Sequence, residues 1–192
     1  MIEIFKKEII ESIEVKQLLL DSSNNLIVLE KLVIECIKSI KNGGKIIFCG
    51  NGGSFADSQH LTAEFISKLR FDRNPLPAIA LGTNSSNLTA IGNDFGFEYI
   101  FEREFIALHE EKDIFIPLST SGDSKNIIRV IKKAKELGVK TFGLTGINGG
   151  MMDDLCFTIK VPSCKTEKIQ ECHIMIGHII CSLIENEICD GK

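Results

Sequence analysis

A short apolar run without polar alternation recurs five times along the chain, at Lys45 to Cys49, Pro77 to Leu81, Asp113 to Leu118, Thr141 to Leu144 and Cys156 to Val161. Runs of this kind are strands buried on both faces, because a strand with one wet face alternates apolar and polar residues. Segments of helical periodicity separate them. A parallel sheet needs such crossovers, a dozen or more residues long, to return each strand to the same end. The pattern predicts an α/β fold: a doubly wound, five-stranded parallel sheet sandwiched by helices.

Two amphipathic helices precede the first strand. Ile2, Phe5, Ile9 and Ile13 lie at helical spacing in residues 2–20, and Leu26, Leu29, Val33, Ile37 and Ile40 repeat that spacing in residues 24–41. A last helix, residues 167–189, is apolar on more than one side through Ile169, Cys172, Ile176, Ile180 and Leu183 among others. Such a helix is expected to be buried from several directions. Together these helices carry more apolar surface than one small sheet covers, which points to a homo-oligomer with a helical interface. A chain of 192 residues has room for one domain. Residues 1–42 are read as a helical hairpin used in oligomerisation, and residues 43–192 as the α/β sandwich core.

The net charge of −4 lacks the basic field that draws a protein to nucleic acid or to an anionic membrane, so any bound phosphate must be held locally. Met1 to Lys7 lack the continuous apolar stretch of a secretory leader, and Ile174 to Ile184 is too short to span ~30 Å of hydrocarbon. The expectation is a cytoplasmic protein. Seven cysteines, none in a CxxC pair, suit a reducing compartment in which most act as small buried hydrophobes.

In open parallel sheets, ligands bind at the carboxyl ends of the strands, where loop amides and helix N-termini converge. Two loops there are chemically distinctive. Gly50-Asn51-Gly52-Gly53-Ser54 follows the first strand, and glycine lets its backbone approach a ligand closely. Ser119-Thr120-Ser121-Gly122-Asp123-Ser124 follows the third and adds four hydroxyls to the open amides of the next helix. The pair suits a phosphate monoester held by neutral donors and a helix dipole. The plainer reading is two ordinary capped turns. Neither loop is GxGxxG or carries a Walker lysine, so a sugar phosphate is preferred to a nucleotide.

The helix expected over residues 54–69 carries Asp57, His60, Glu64 and Lys68 on one stripe, opposite Ser58, Leu61, Phe65 and Leu69. His60 and Glu64 are one turn apart, the geometry in which a helix offers two metal ligands, or a carboxylate base and its partner. A solvated face with a Glu64–Lys68 ion pair is the competing reading. The last helix carries Gln170, His173 and His178 on an otherwise apolar element, and buried polar groups need partners. Gln170 and His178 stand ~12 Å apart along the axis, so an ion shared by both lies beside the middle turn. Gly177 offers space beside His178.

GNGGS at 50–54, HLTAE at 60–64, GNDFGF at 92–97, STSGDS at 119–124, LTG at 144–146 and IQECHIMIGH at 169–178 together resemble the bacterial phosphoheptose isomerases, enzymes of the sugar isomerase (SIS) fold. The likeness runs from about residue 43 to 189. It implies isomerisation of sedoheptulose 7-phosphate to D-glycero-D-manno-heptose 7-phosphate, toward nucleotide-activated heptose for lipopolysaccharide or capsule. It also implies a homotetramer with active sites between subunits and one zinc ion per subunit held by His60, Glu64, Gln170 and His178. The implied substrate contacts are Asn51, Gly52, Gly53, Ser54, Asn93, Asp94, Ser119, Thr120, Ser121, Ser124 and Gln170.

The chemistry of the residues agrees with the resemblance. An enediol route needs a base to move a proton from C1 to C2 and a second group to move protons between the oxygens. Glu64 fits the first role and His178 the second. Lys68 stands where the family often has arginine, which puts a substrate contact there in doubt. The alternative function is a non-catalytic SIS module that binds a sugar phosphate or a protein partner, as in the related replication-initiation regulators. Such a module needs the loops but not the acid/base set.

Overall fold

The computed structural model describes residues 1–189, so the last three residues of the expected core lie outside the described residues. The strands are β1 (Ile46–Cys49), β2 (Ala78–Ala80), β3 (Ile114–Ser119), β4 (Lys140–Gly146) and β5 (Phe157–Val161). They form one sheet in the order β2-β1-β3-β4-β5, every neighbouring pair parallel. The sequence reversal at β1 and β3 makes the gap beyond their carboxyl ends the switch point of a doubly wound sheet.

Successive side chains of a strand point to opposite faces, and β1 shows how that divides the core. Ile46 and Phe48 enter a layer with α1 (Ile2–Leu20), α2 (Ser23–Lys41), α3 (Gly53–Ile66) and α7 (Thr166–Ile188). Ile47 and Cys49 enter the opposite layer with α5 (Ile100–Leu108) and α6 (Lys125–Glu136). A further helix, α4 (Ser85–Asp94), follows the edge strand β2 and packs on α5. The expected doubly wound α/β architecture is therefore present.

Helix α7 packs against α1, α2, α3, β4 and β5, which accounts for its apolar residues on several sides. Buried His173 ties it to the sheet, its Nε2–H donating to the carbonyl of Thr145 on β4 at 3.3 Å. Gly177 does not leave space beside His178, contrary to the expectation. A Cβ there would lie 2.4 Å from the side chain of Leu61, so the missing side chain lets α3 and α7 approach closely. Leu61 and Gly177 are the chain neighbours of His60 and His178. The closest approach of the two helices thus falls beside both histidines.

Helix α3 ends at Ile66 rather than at residue 69. The chain turns there because the amides of Leu69 and Arg70 donate to buried Glu185 on α7, at 3.1 and 2.8 Å. Four of the cysteines, 36, 49, 172 and 181, are buried, as expected of small hydrophobes, whereas Cys164 is exposed. No helix among the described residues is long and apolar enough to cross a membrane.

Adding a methyl group at Gly177 overpacks the α3–α7 contact. Gly177→Ala is expected to lower the unfolding free energy by about 1–3 kcal/mol despite the better helix propensity of alanine, read by urea denaturation. Burial holds the imidazole of His173 at a pKa of about 4, below the ordinary 6.5. The unfolded chain therefore takes up this proton first on acidification. Stability contributed above pH 6.5 is lost as pH falls toward 4, about 3 kcal/mol in all, and a His173→Asn chain should lack that part of the slope.

Candidate active site

The two distinctive loops lie side by side at the carboxyl ends of β1 and β3, which pair directly in the sheet. Gly52 turns the first loop with φ +55°, and a Cβ on Gly53 would lie 2.4 Å from the Gln170 amide. Glycine at 53 thus lets the start of α3 close onto α7. The loops are joined across the switch point by reciprocal amide bonds between Asn51 and Asn126, at 2.9 and 2.8 Å. Asn126 is buried on the first turn of α6, and no sequence motif had singled it out.

Side chains brace the second loop, where Ser119 Oγ accepts from the Gly122 amide at 3.2 Å, but the N-cap residues of α3 and α6 make no side-chain cap. Helix α4 shows what capping looks like in this chain: the Asn84 side chain accepts from the amides of Ser86 and Asn87. At α6 the N-cap residue Ser124 makes no such bond, and its hydroxyl instead accepts from Ser119 Oγ at 3.3 Å. Gly52, at the start of α3, offers no side chain at all. At α6 the amide of Ile127 is taken by the Asn126 side chain at 3.0 Å, so what the two N-termini offer at the switch point is their first amides and their positive dipole ends. Ser121 braces the second loop by accepting from the Asp123 amide, and Asp123 accepts from that of Met151. Helix N-termini and hydroxyls so arranged are suited to an anion without a lysine.

Beside the loops, α3 and α7 bring His60, Glu64 and His178 together, with one ligand-type atom from each lying within 4.8 Å of the others. His60 Nε2 is 2.8 Å from His178 Nε2 and 3.3 Å from Glu64 Oε1. Two imidazole nitrogens and a carboxylate oxygen facing one point form a donor set suited to zinc, whose tetrahedral ligands stand about 3.3 Å apart when each bond is ~2.0 Å. A shift of a few tenths of an ångström between the histidines meets that requirement. Gln170 stands two helical turns away, against Gly53, where its amide borders the glycine loop.

Asp57, one turn before His60 on the same stripe, has a buried carboxylate oxygen without a hydrogen-bond partner among the described residues. Burial raises its pKa above the ordinary carboxylate range, and His60 and His178 act against that rise. The helical stripe had placed Asp57 next to His60 but had given it no role. His173, by contrast, is a core residue bonded to a backbone carbonyl.

Other residues singled out in the sequence lie on further elements. Asn93 and Asp94 end α4, exposed and hydrogen-bonded to each other, on a helix that packs against α5 and the turn after it. Lys68 lies beyond the end of α3 and faces Asp72 at 3.7 Å, so the Glu64–Lys68 pair of a solvated helix does not form. The ring of Phe55, on the first turn of α3, lies against Gly82, just after β2.

Comparison with known proteins agrees with this geometry. A model of the SIS domain matches residues 13–146. The phosphoheptose isomerase of Aneurinibacillus thermoaerophilus is 48% identical over 100% of this chain and 98% of its own length. The structure of a phosphoheptose isomerase from Francisella tularensis superposes with a TM-score of 0.91 at 33% identity, covering 96% of this chain and 98% of that one. That of a phosphoheptose isomerase from Neisseria gonorrhoeae does so with a TM-score of 0.88 at 36% identity, with the same coverage. Full-length likeness in both sequence and fold establishes that this chain belongs to the phosphoheptose isomerases of the SIS-domain family.

Proposed function

We propose that the chain isomerises sedoheptulose 7-phosphate to D-glycero-D-manno-heptose 7-phosphate, an aldose–ketose conversion that feeds nucleotide-activated heptose biosynthesis. The observation that carries this reading is the convergence of His60, Glu64 and His178 from two helices beside an uncapped, neutral anion cradle. A module that only binds sugar phosphates has use for the cradle but none for the trio.

The cradle binds the 7-phosphate through the hydroxyls of Ser119, Thr120, Ser121 and Ser124 and the first amides of α6. Asn51, Gly52, Gly53 and Ser54 line the other side, with Gln170 reaching in from α7. Glu64 removes a proton from C1 and returns it at C2, and its half-buried setting limits competition from water. His178 moves the proton between O1 and O2. His60, Glu64 and His178, with Gln170 from the family resemblance, would hold a zinc ion, which supplies positive charge opposite the developing enediolate when bound. A carboxylate held by a metal is a weak base, so an ion at the trio would either leave Glu64 free to act as base or serve a partly structural role.

We further propose a homotetramer with its sites between subunits, formed through the 1–42 hairpin. On α1, Ile2, Ile4, Phe5, Ile9 and Ile13 are exposed, and on α7 so are Ile179 and Leu183. His178 also lines an open groove of about 730 Å³ bounded by Leu69, Arg70, Met175 and Leu183. Apolar surface of this extent supports burial against further copies. Asn93 and Asp94, exposed at the end of α4, would complete the substrate contacts that the resemblance implies. The charge and the apolar helices fit a cytoplasmic enzyme.

Offering sedoheptulose 7-phosphate to the purified protein should yield heptose 7-phosphate by NMR. Glu64→Gln should reduce kcat by at least a thousandfold with the oligomer intact. A near-normal rate in that variant would remove Glu64 from the mechanism.

A further inference from the structure

Glu64 and His178 stand on different helices, so their approach depends on what fixes the end of α3 to α7. Glu64 is two residues from the end of α3, where the last carbonyls of any helix lack intrahelical partners. No basic residue within the last turn of α3 answers them. Arg73, from the loop beyond, does. Its Nη2 donates to the Glu64 carbonyl at 2.8 Å, and its Nη1 donates to those of Phe65 at 2.8 Å and Asn74 at 3.1 Å.

The guanidinium is itself held from α7. Arg73 Nε donates to Glu185 Oε1 at 2.8 Å, and the two side chains are 5% and 1% exposed. The same carboxylate accepts the amides of Leu69 and Arg70. These donors keep its pKa below the ordinary carboxylate range against the opposing effect of burial. Glu185 lies two turns beyond His178 on α7, ~10 Å along the axis. A continuous chain of bonds thus runs from the Glu64 backbone through Arg73 and Glu185 to the helix that carries His178.

We propose that Arg73 and Glu185 are positioning residues for the isomerisation, a buried clamp that holds the Glu64 turn at a fixed register to His178. The proposal rests on the isomerase reading for its kinetic test and on the trio alone for a second one. The fork of arginine is required because lysine cannot serve two carbonyls and a carboxylate in one plane. Charge-conserving variants keep the pair buried as an ion pair while breaking its geometry, which favours folding over complete replacement.

The test compares Arg73→Lys and Glu185→Asp with wild type, with Glu187→Gln as control because Glu187 makes only an exposed pair with Lys41 at 3.5 Å. In folded variants the clamp account expects kcat at least tenfold lower, KM within twofold, and a larger kinetic isotope effect with substrate deuterated at C1. The control should match wild type. A clamp that merely supports the fold would lower the melting temperature and leave kcat and the isotope effect unchanged; that result overturns the proposal. Should wild type show no turnover, the isomerase reading itself fails. Zinc competition against a chelating dye then decides the clamp: at least tenfold weaker binding in Arg73→Lys supports it, and equal binding overturns it. If one variant does not fold, the other is read alone.

Discussion

The close contact of α3 and α7 at Leu61 and Gly177 is the constraint on which the candidate site depends. Packed helices stand about 8–10 Å apart depending on the side chains at the contact, and small residues at a crossing favour the short end of that range. Removing one Cβ at the crossing brings the backbones together where His60 and His178 follow immediately in sequence. The 2.8 Å separation of their ring nitrogens is the result. Packing and chemistry are therefore one feature here: the apolar contact that stabilises the layer also sets the distance between groups that must act on one substrate.

The anion cradle follows a different logic. Its two loops end β1 and β3, neighbours at the switch point, and the Asn51–Asn126 amide pair holds them in register. Leaving the N-termini of α3 and α6 uncapped forgoes about 1 kcal/mol of helix stability at each. Two positive dipole ends at neighbouring strand ends suit a doubly charged phosphate in a protein whose overall charge is negative. Of the α-helices among the described residues, α4 alone carries a side-chain cap, from Asn84, so the open starts of α3 and α6 stand out by their place at the switch point rather than by the missing cap.

Much of this was legible from local pattern. Strands buried on both faces announce themselves by uninterrupted apolar runs, and the one-turn spacing of His60 and Glu64 requires no tertiary information. What was not legible depended on distant partners. Gly177 read as open space because nothing local reveals that Leu61 occupies it. The early end of α3 depends on Glu185, more than a hundred positions away in sequence. Asn126 and Arg73 sit in ordinary surroundings, a helix start and a charged loop, and acquire roles only through Asn51 and Glu185. Asn93 and Asp94 were read from a motif alone, and they lie exposed at the end of α4, bonded to each other.

The central claim is that groups from α3 and α7 transfer a proton between adjacent carbons of one bound sugar. Turnover of sedoheptulose 7-phosphate in deuterated water tests it most directly, with the aldose product read by NMR. A proton carried by Glu64 exchanges with solvent during its transfer, so deuterium should appear at C2 of the product. Product formed at full rate with only protium at C2 would mean that hydrogen moves directly between the carbons, and the acid/base role assigned to this site would be wrong.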